Sequence, residues 1–205
     1  MEKVFAYLEA LGPNDQLNIR SLSLKLSTLF ALATLLRVSE LAAISTRSLV
    51  VSPQAASFSL NRPRKAQHSG ALRSFTLQPF ESNANLCPVG CIAVYLDRTA
   101  DLRPSNSDYL FVSLIRPHRA ATATTLARWI KTILHLSGIN TSIFGAHSVR
   151  GTASSDSVAR GVPVEDVLRS GDWSSLSNFS RFYHRPISSL PVAPVSVPLG
   201  LGVTP

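Results

Sequence analysis

The chain has 205 residues, 45% of them hydrophobic, with a mean hydropathy of +0.16, a formal net charge of +8 and a pI near 10.2. That length suits one domain with a sizeable core, and the apolar share excludes a chain disordered throughout. The excess of basic residues points to a polyanionic partner.

The charge is unevenly spread. No acid falls between Glu40 and Glu81, a stretch that holds Arg47, Arg62, Arg64, Lys65 and Arg73. None falls between Asp108 and Asp156, which enclose Arg116, Arg119, Arg128, Lys131 and Arg150. Two acid-free stretches suggest a basic surface rather than scattered solubilising charge.

In chain order, Val4–Leu11 reads as a short helix closed by Gly12-Pro13. The opening MEKVFAYLEALGP is amphipathic and acidic, without the basic start and small-residue cleavage site of a signal peptide, so a reducing compartment is the expectation. Leu22–Leu36 is apolar on nearly every helical face; Lys25 interrupts it and Arg37 follows, which favours a buried central helix over a membrane span. Ser39–Ile44 reads as a second helical turn carrying Glu40. Between Val50 and Pro79, SFSL and LRSFTL alternate apolar and polar residues around a turn, the pattern of a β-hairpin.

Pro88 opens a helix reaching to Thr99. Cys87 and Cys91, in CPVGC, have no neighbouring histidine to complete a zinc site, and they read as small buried apolar residues. Tyr109–Val112 (YLFV) is expected as a short strand. Thr122–Ser137 is an amphipathic helix ended by Gly138, with Leu126, Trp129, Ile130, Ile133 and Leu134 on one side and Arg128, Lys131 and His135 on the other. The basic side suits either plain solvation or a face turned to nucleic acid. Further helices are expected over 147–160, 164–170 and 175–183. Residues 187–205 form a proline-rich, uncharged tail behind a domain of residues 1–186. The expected class is mainly α with a small antiparallel β-sheet (α+β).

Arg37, His147, Arg150, Trp173 and Tyr183 together suit one chemistry. Breaking a phosphodiester without a metal needs a nucleophile, donors for charge on the nonbridging oxygens, and an acid for the leaving oxygen. Tyr183 is the candidate nucleophile; a free phenol has a pKa of about 10, so nearby cations or a base must assist it. Phe179 and Phe182 can supply the local core packing instead. Arg37 and Arg150 carry permanently charged planar forks that match phosphate oxygens. Glu40, three residues beyond Arg37, can orient it. His147 and Arg150 share one face of a helix, and His147 can donate to the phosphate or exchange a proton with the tyrosine. Trp173 offers one N–H donor and no exchangeable proton; it serves either as that donor or as a core side chain.

The wording around these residues is LLRVSELAAIS, HSVRGTAS and GDWSSLSNFSRFYHRP. It resembles the motifs of the tyrosine recombinases, the phage-integrase family, and most closely the recombinases of DIRS-like retrotransposons. The resemblance runs from Val4 to Pro186 and implies the catalytic-domain fold of that family. It also implies metal-independent cleavage and rejoining of DNA strands through a 3′-phosphotyrosine intermediate, in the recombination or integration of a mobile element. No cofactor is implied. The expected partners are double-stranded DNA and further copies of the chain on it, with no membrane. The nucleus is the expected location for a eukaryotic element, the cytoplasm otherwise.

By the same resemblance the catalytic set is Arg37, Lys65, His147, Arg150, Trp173 and Tyr183, with Glu40 in support. Lys65 lies in RPRKAQHSG, at the hairpin turn where the family carries its general-acid lysine; a plain DNA-backbone contact is its other reading. Arg62, Arg64, Arg128 and Lys131 are the expected DNA-binding residues. Leu36 stands where many relatives have glycine, Gly151 where a histidine is common, and GDW where LGH is frequent. DIRS-like recombinases share the RG and DW variants. The family's N-terminal core-binding domain is expected to be absent. Two other readings stand beside this one: a topoisomerase of the tyrosine 3′-phosphate class, and a domesticated module that binds DNA without cutting it. No Walker loop, GxSxG elbow or metal-ligand cluster suggests another enzyme class.

Overall fold

The computed structural model describes residues 1–64, 71–105 and 107–173. In chain order these form α1 (Glu2–Ala10), α2 (Ile19–Thr34), α3 (Val38–Leu41), β1 (Val50–Val51), β2 (Ala56–Ser59), β3 (Ser74–Leu77), α4 (Pro88–Arg98), α5 (Ala123–Leu136), α6 (Ala146–Ala159) and α7 (Val164–Gly171). The expected helix over 175–183 and the tail at 187–205 lie outside the described residues.

Helix α2 is the centre of the packing, against α4, α5 and α6. Its start is fixed by Asn18, whose side chain accepts the Ser21 N–H at 2.9 Å. A helix buried on almost every face must hide its hydroxyls. It does so by turning them onto its own carbonyls: Ser23 to Ile19, Ser27 and Thr28 to Leu24, and Thr34 to Phe30, all at 2.6–3.0 Å. Lys25, in its middle, is fully buried and donates Nζ to the Gly12 carbonyl at 2.8 Å. Burial pushes its pKa down, opposed by the nearby Cys91.

The sheet is antiparallel in the order β1-β2-β3, with Val50 opposite Ser57 and Phe58 opposite Phe75. Ala56, Phe58, Phe75 and Leu77 turn to the core, the alternation seen in the sequence. Phe58 stacks on Phe75 at 5.4 Å and meets Phe30 of α2 at 5.7 Å, which fastens the sheet to the central helix. Cys87 and Cys91 are free and buried at the start of α4, where Cys87 Sγ accepts the Gly90 N–H. Burial pushes the Cys91 thiol up to about 12.

One expectation is corrected, and one is shifted in its bounds. Tyr109–Val112 makes only isolated bridges, Ser45 with Tyr109 and Val112 with Ala120. Arg103 donates to the carbonyls of Tyr109 and Leu110 at 2.7 Å each, so a side chain takes acceptors that a ladder would use. The helical turn expected at Ser39–Ile44 is present as α3, with Glu40 in it, but it ends at Leu41, because Ile44 pairs with Leu60 and its carbonyl accepts from Leu110. Among the described residues no helix is long and apolar enough to cross a membrane.

Candidate active site

The first arginine is delivered by a break in the backbone. Leu35 ends α2 at φ 53° and ψ 20°, a left-handed conformation that costs a non-glycine residue on the order of 1–3 kcal/mol. The glycine-favouring position is therefore Leu35 rather than Leu36. The turn makes Arg37 the residue that opens α3. Glu40, in the first turn of that helix, reaches back to the Arg37 N–H with Oε2 at 2.7 Å and takes the Arg37 guanidinium with Oε1 at 2.7 Å.

Glu40 is buried and receives a second arginine. Arg64 donates Nε to Glu40 Oε1 at 3.0 Å and Nη2 to Oε2 at 3.1 Å. Burial pushes the Glu40 carboxyl up, but the Arg64 hydrogen bonds and charge, with the Arg37 N–H and charge, outweigh it and hold it below the usual carboxylate range. The expectation of Arg64 as a DNA contact does not match this placement: its side chain is only 1% exposed and faces inward. The remaining guanidinium donors reach the carbonyls of Ser170 and Gly171, each at 3.3 Å. Those carbonyls end helix α7 and need donors that the helix itself does not provide.

The second motif arrives on α6. Arg150 is buried, donates Nη2 to the same Gly171 carbonyl, and lies over the Trp173 ring at 4.1 Å. A Cβ on Gly171 would collide with the Trp173 ring, so this approach requires glycine. Asp172 then caps α7 in the left-handed region, at φ 59°. Its carboxylate lies 3.9 Å from Arg37 Nη1, 3.7 Å from Arg64 Nε and 3.5 Å from Arg73 Nη1.

Arg37, Glu40, Arg64, Arg150 and Trp173 thus converge from four places in the chain: the start of α3, the segment after β2, α6 and the end of α7. His147 is exposed in the first turn of α6, three residues before Arg150. Arg62 is exposed and donates to the Ser39 carbonyl at 2.9 Å. Arg128 and Lys131 are exposed on α5 and take no part in the ion pairs just described. Lys65 and Tyr183 lie outside the described residues. Four arginines (37, 64, 73 and 150) face two carboxylates here, leaving an excess of positive charge around the planar forks of Arg37 and Arg150. That is the electrostatic requirement for holding a phosphate and stabilising added charge on its oxygens.

The phage integrase family model matches residues 6–187, nearly the whole chain. The chain belongs to the phage integrase family. Its mainly helical fold with a three-stranded antiparallel sheet is that of tyrosine recombinase catalytic domains. It is similar to XerH site-specific recombinase in a post-cleavage complex with palindromic difH substrate, with a TM-score of 0.65 and 17% identity, covering 89% of this chain and 48% of that one. XerA recombinase gives a TM-score of 0.64 at 17% identity, covering 90% and 59%. A lambda integrase dimer bound to a COC′ core site gives 0.53 at 12% identity, covering 95% and 60%. The chain therefore spans about half to three-fifths of the length of these structures. No curated protein sequence matches it.

Within this family member, Asp172 and Arg73 are the site residues that the motif reading misses. One signal was available. Asp172 is the last acid of the chain, and it immediately precedes Trp173 in a segment whose other charges are Arg169, Arg181 and Arg185. A solitary carboxylate among arginines is a natural place for an ion-pair hub.

Proposed function

We propose that residues 1–186 are the catalytic domain of a metal-independent tyrosine recombinase that cuts and rejoins DNA strands in the movement of a DIRS-like mobile element. The observation that carries this reading is the meeting of the two motif arginines at one junction: Arg37 is held by Glu40, and Arg150 lies against Gly171 and Trp173.

In this reading the Tyr183 oxygen attacks the phosphorus and the bond to the 5′-oxygen breaks, leaving a 3′-phosphotyrosine and a free 5′-hydroxyl. The energy of the phosphodiester is kept in the new bond, so no cofactor is consumed. Arg37 and Arg150 spread the charge that builds on the nonbridging oxygens. His147, on the exposed turn before Arg150, donates to the phosphate or exchanges the tyrosine proton. The Trp173 indole adds a neutral donor, and Lys65 protonates the leaving oxygen. Arg62, Arg128 and Lys131, all exposed, contact the backbone of double-stranded DNA. Further copies of the chain assemble on that duplex, in the nucleus if the element is eukaryotic.

The test is covalent capture. Incubated with nicked duplexes that release the short fragment bearing the new 5′-hydroxyl after cleavage, and with EDTA present, the protein becomes linked to DNA through a 3′-phosphate. Tyr183→Phe binds the same duplex and forms no adduct. An undiminished adduct from that variant overturns the assignment.

A further inference from the structure

We infer that Arg64 is a positioning residue of the strand-cleavage site, setting Arg37 and Arg150 through two acceptors it shares with them. The inference rests on the strand-cleavage reading above. Arg64 has no role in the motif chemistry and does not face solvent, yet it is the side chain around which the cluster is organised. Glu40 Oε1 accepts both Arg64 Nε at 3.0 Å and Arg37 Nη1 at 2.7 Å. The Gly171 carbonyl accepts both Arg64 Nη2, at 3.3 Å, and Arg150 Nη2. Each arginine assigned to the phosphate is therefore one atom removed from Arg64. Its guanidinium also lies 5.7 Å from the Phe75 ring centre, which ties it to strand β3.

The physical consequence follows from the geometry. Without the second guanidinium, both Glu40 oxygens are left to Arg37, which is drawn toward the buried carboxylate and away from a phosphate. The Gly171 carbonyl loses one of its donors at the same time, freeing the end of α7 against which Arg150 and Trp173 are seated. A lysine at position 64 supplies a point charge for Glu40 but no fork able to reach two carboxylate oxygens and two carbonyls. Displacing a reacting group by about 1 Å from its productive position costs as much as a hundredfold in rate.

The decisive comparison is single-turnover cleavage by the full chain at saturating nicked duplex. Arg64→Lys is expected to bind DNA with unchanged Kd and to cleave about a hundredfold more slowly than the wild type. Because Arg64 precedes Lys65 in sequence, the substrate is also made with sulfur at the 5′-bridging position, a leaving group that needs little proton donation. Sulfur is expected to restore Lys65→Ala and to leave Arg64→Lys as slow as Arg150→Ala. If Arg64→Lys does not fold, the double variant Arg64→Met/Glu40→Gln is compared with Glu40→Gln alone: both lack the buried carboxylate, and only the double variant lacks the fork that reaches the Ser170 and Gly171 carbonyls, so slower cleavage by the double variant is expected and equal rates overturn the inference. Cleavage at the wild-type rate, a loss confined to Kd, or rescue by sulfur overturns the inference alone. A wild type that forms no adduct overturns the strand-cleavage reading, and this inference with it.

Discussion

Lys25 and Arg64 are both buried cations, and the protein treats them in opposite ways. Lys25 sits inside α2 with a neutral carbonyl as its hydrogen-bond partner, and burial lowers its pKa. Arg64 lies against the carboxylate of Glu40, whose pKa is lowered instead. The difference is chemical: an ammonium can shed its proton when desolvated, whereas a guanidinium stays charged and must be met by an acid. A buried arginine is thus a fixed charge that the fold has to surround. Such a place suits phosphate chemistry, and the core of α2 does not.

The strongest test of that contrast is kinetic. Arg37→Ala and Arg150→Ala should each slow single-turnover cleavage at saturating DNA by about a hundred- to a thousandfold, equivalent to roughly 2.7–4 kcal/mol of transition-state stabilisation. Lys25→Met should leave the rate per folded molecule unchanged. Full restoration of the arginine variants by excess DNA would make them binding residues only, and a slow Lys25→Met would dissolve the distinction between the two regions.

A smaller effect is expected where the site is packed rather than charged. Gly171→Ala places a methyl group where Trp173 already lies, so the indole must leave its seat beside Arg150. A stability loss of about 1–3 kcal/mol is expected from the overpacking, together with slower cleavage. Gly90→Ala is the matched control on α4. Its new Cβ meets nothing closer than Cys87 Sγ at 3.9 Å, and the change should stabilise the helix by up to about 1 kcal/mol. Thermal melting of both variants against the wild type measures the pair. An unchanged melting temperature for Gly171→Ala would mean that the ring has room to move.

The same contrast explains what the sequence reveals and what it conceals. The core of α2 is legible because its apolar residues are contiguous, and α5 because its apolar stripe has helical period. The alternation of β2 and β3 places the sheet, and the spacing of His147 and Arg150 places them on one helix. The direction of Arg64 is not legible. In RPRK every cation looks alike, and the residue that turns Arg64 inward is Glu40, 24 positions away. Asp172 is hidden for a related reason, because its arginine partners come from the residue before α3, the segment after β2 and the residue before β3. Tyr109–Val112 has the composition of a strand, but Arg103 claims its carbonyls, which no local pattern reports.

The finest distinction between the two charges is in their pH windows. Glu40 has a folded pKa below its unfolded value of about 4.3, so the unfolded chain takes up a proton first on acidification. Its contribution to stability is therefore complete above that value and is lost as pH falls through the folded pKa. Lys25 also has a lowered folded pKa, but against an unfolded value of about 10.4. Below its folded pKa the native state carries the full cost of the buried charge, and that cost is relieved as pH rises toward the unfolded value. Chemical denaturation across pH should show the stability of the wild type rising relative to Glu40→Gln only on the acid side. Relative to Lys25→Met it should rise only on the alkaline side. Cys91, whose thiol is pushed up to about 12, is present in both chains of the second comparison. A wild-type advantage over Lys25→Met that stays flat or declines toward alkaline pH would show that Lys25 remains charged in the folded protein. The contrast with Arg64 would then rest on the partner of each charge and not on its proton.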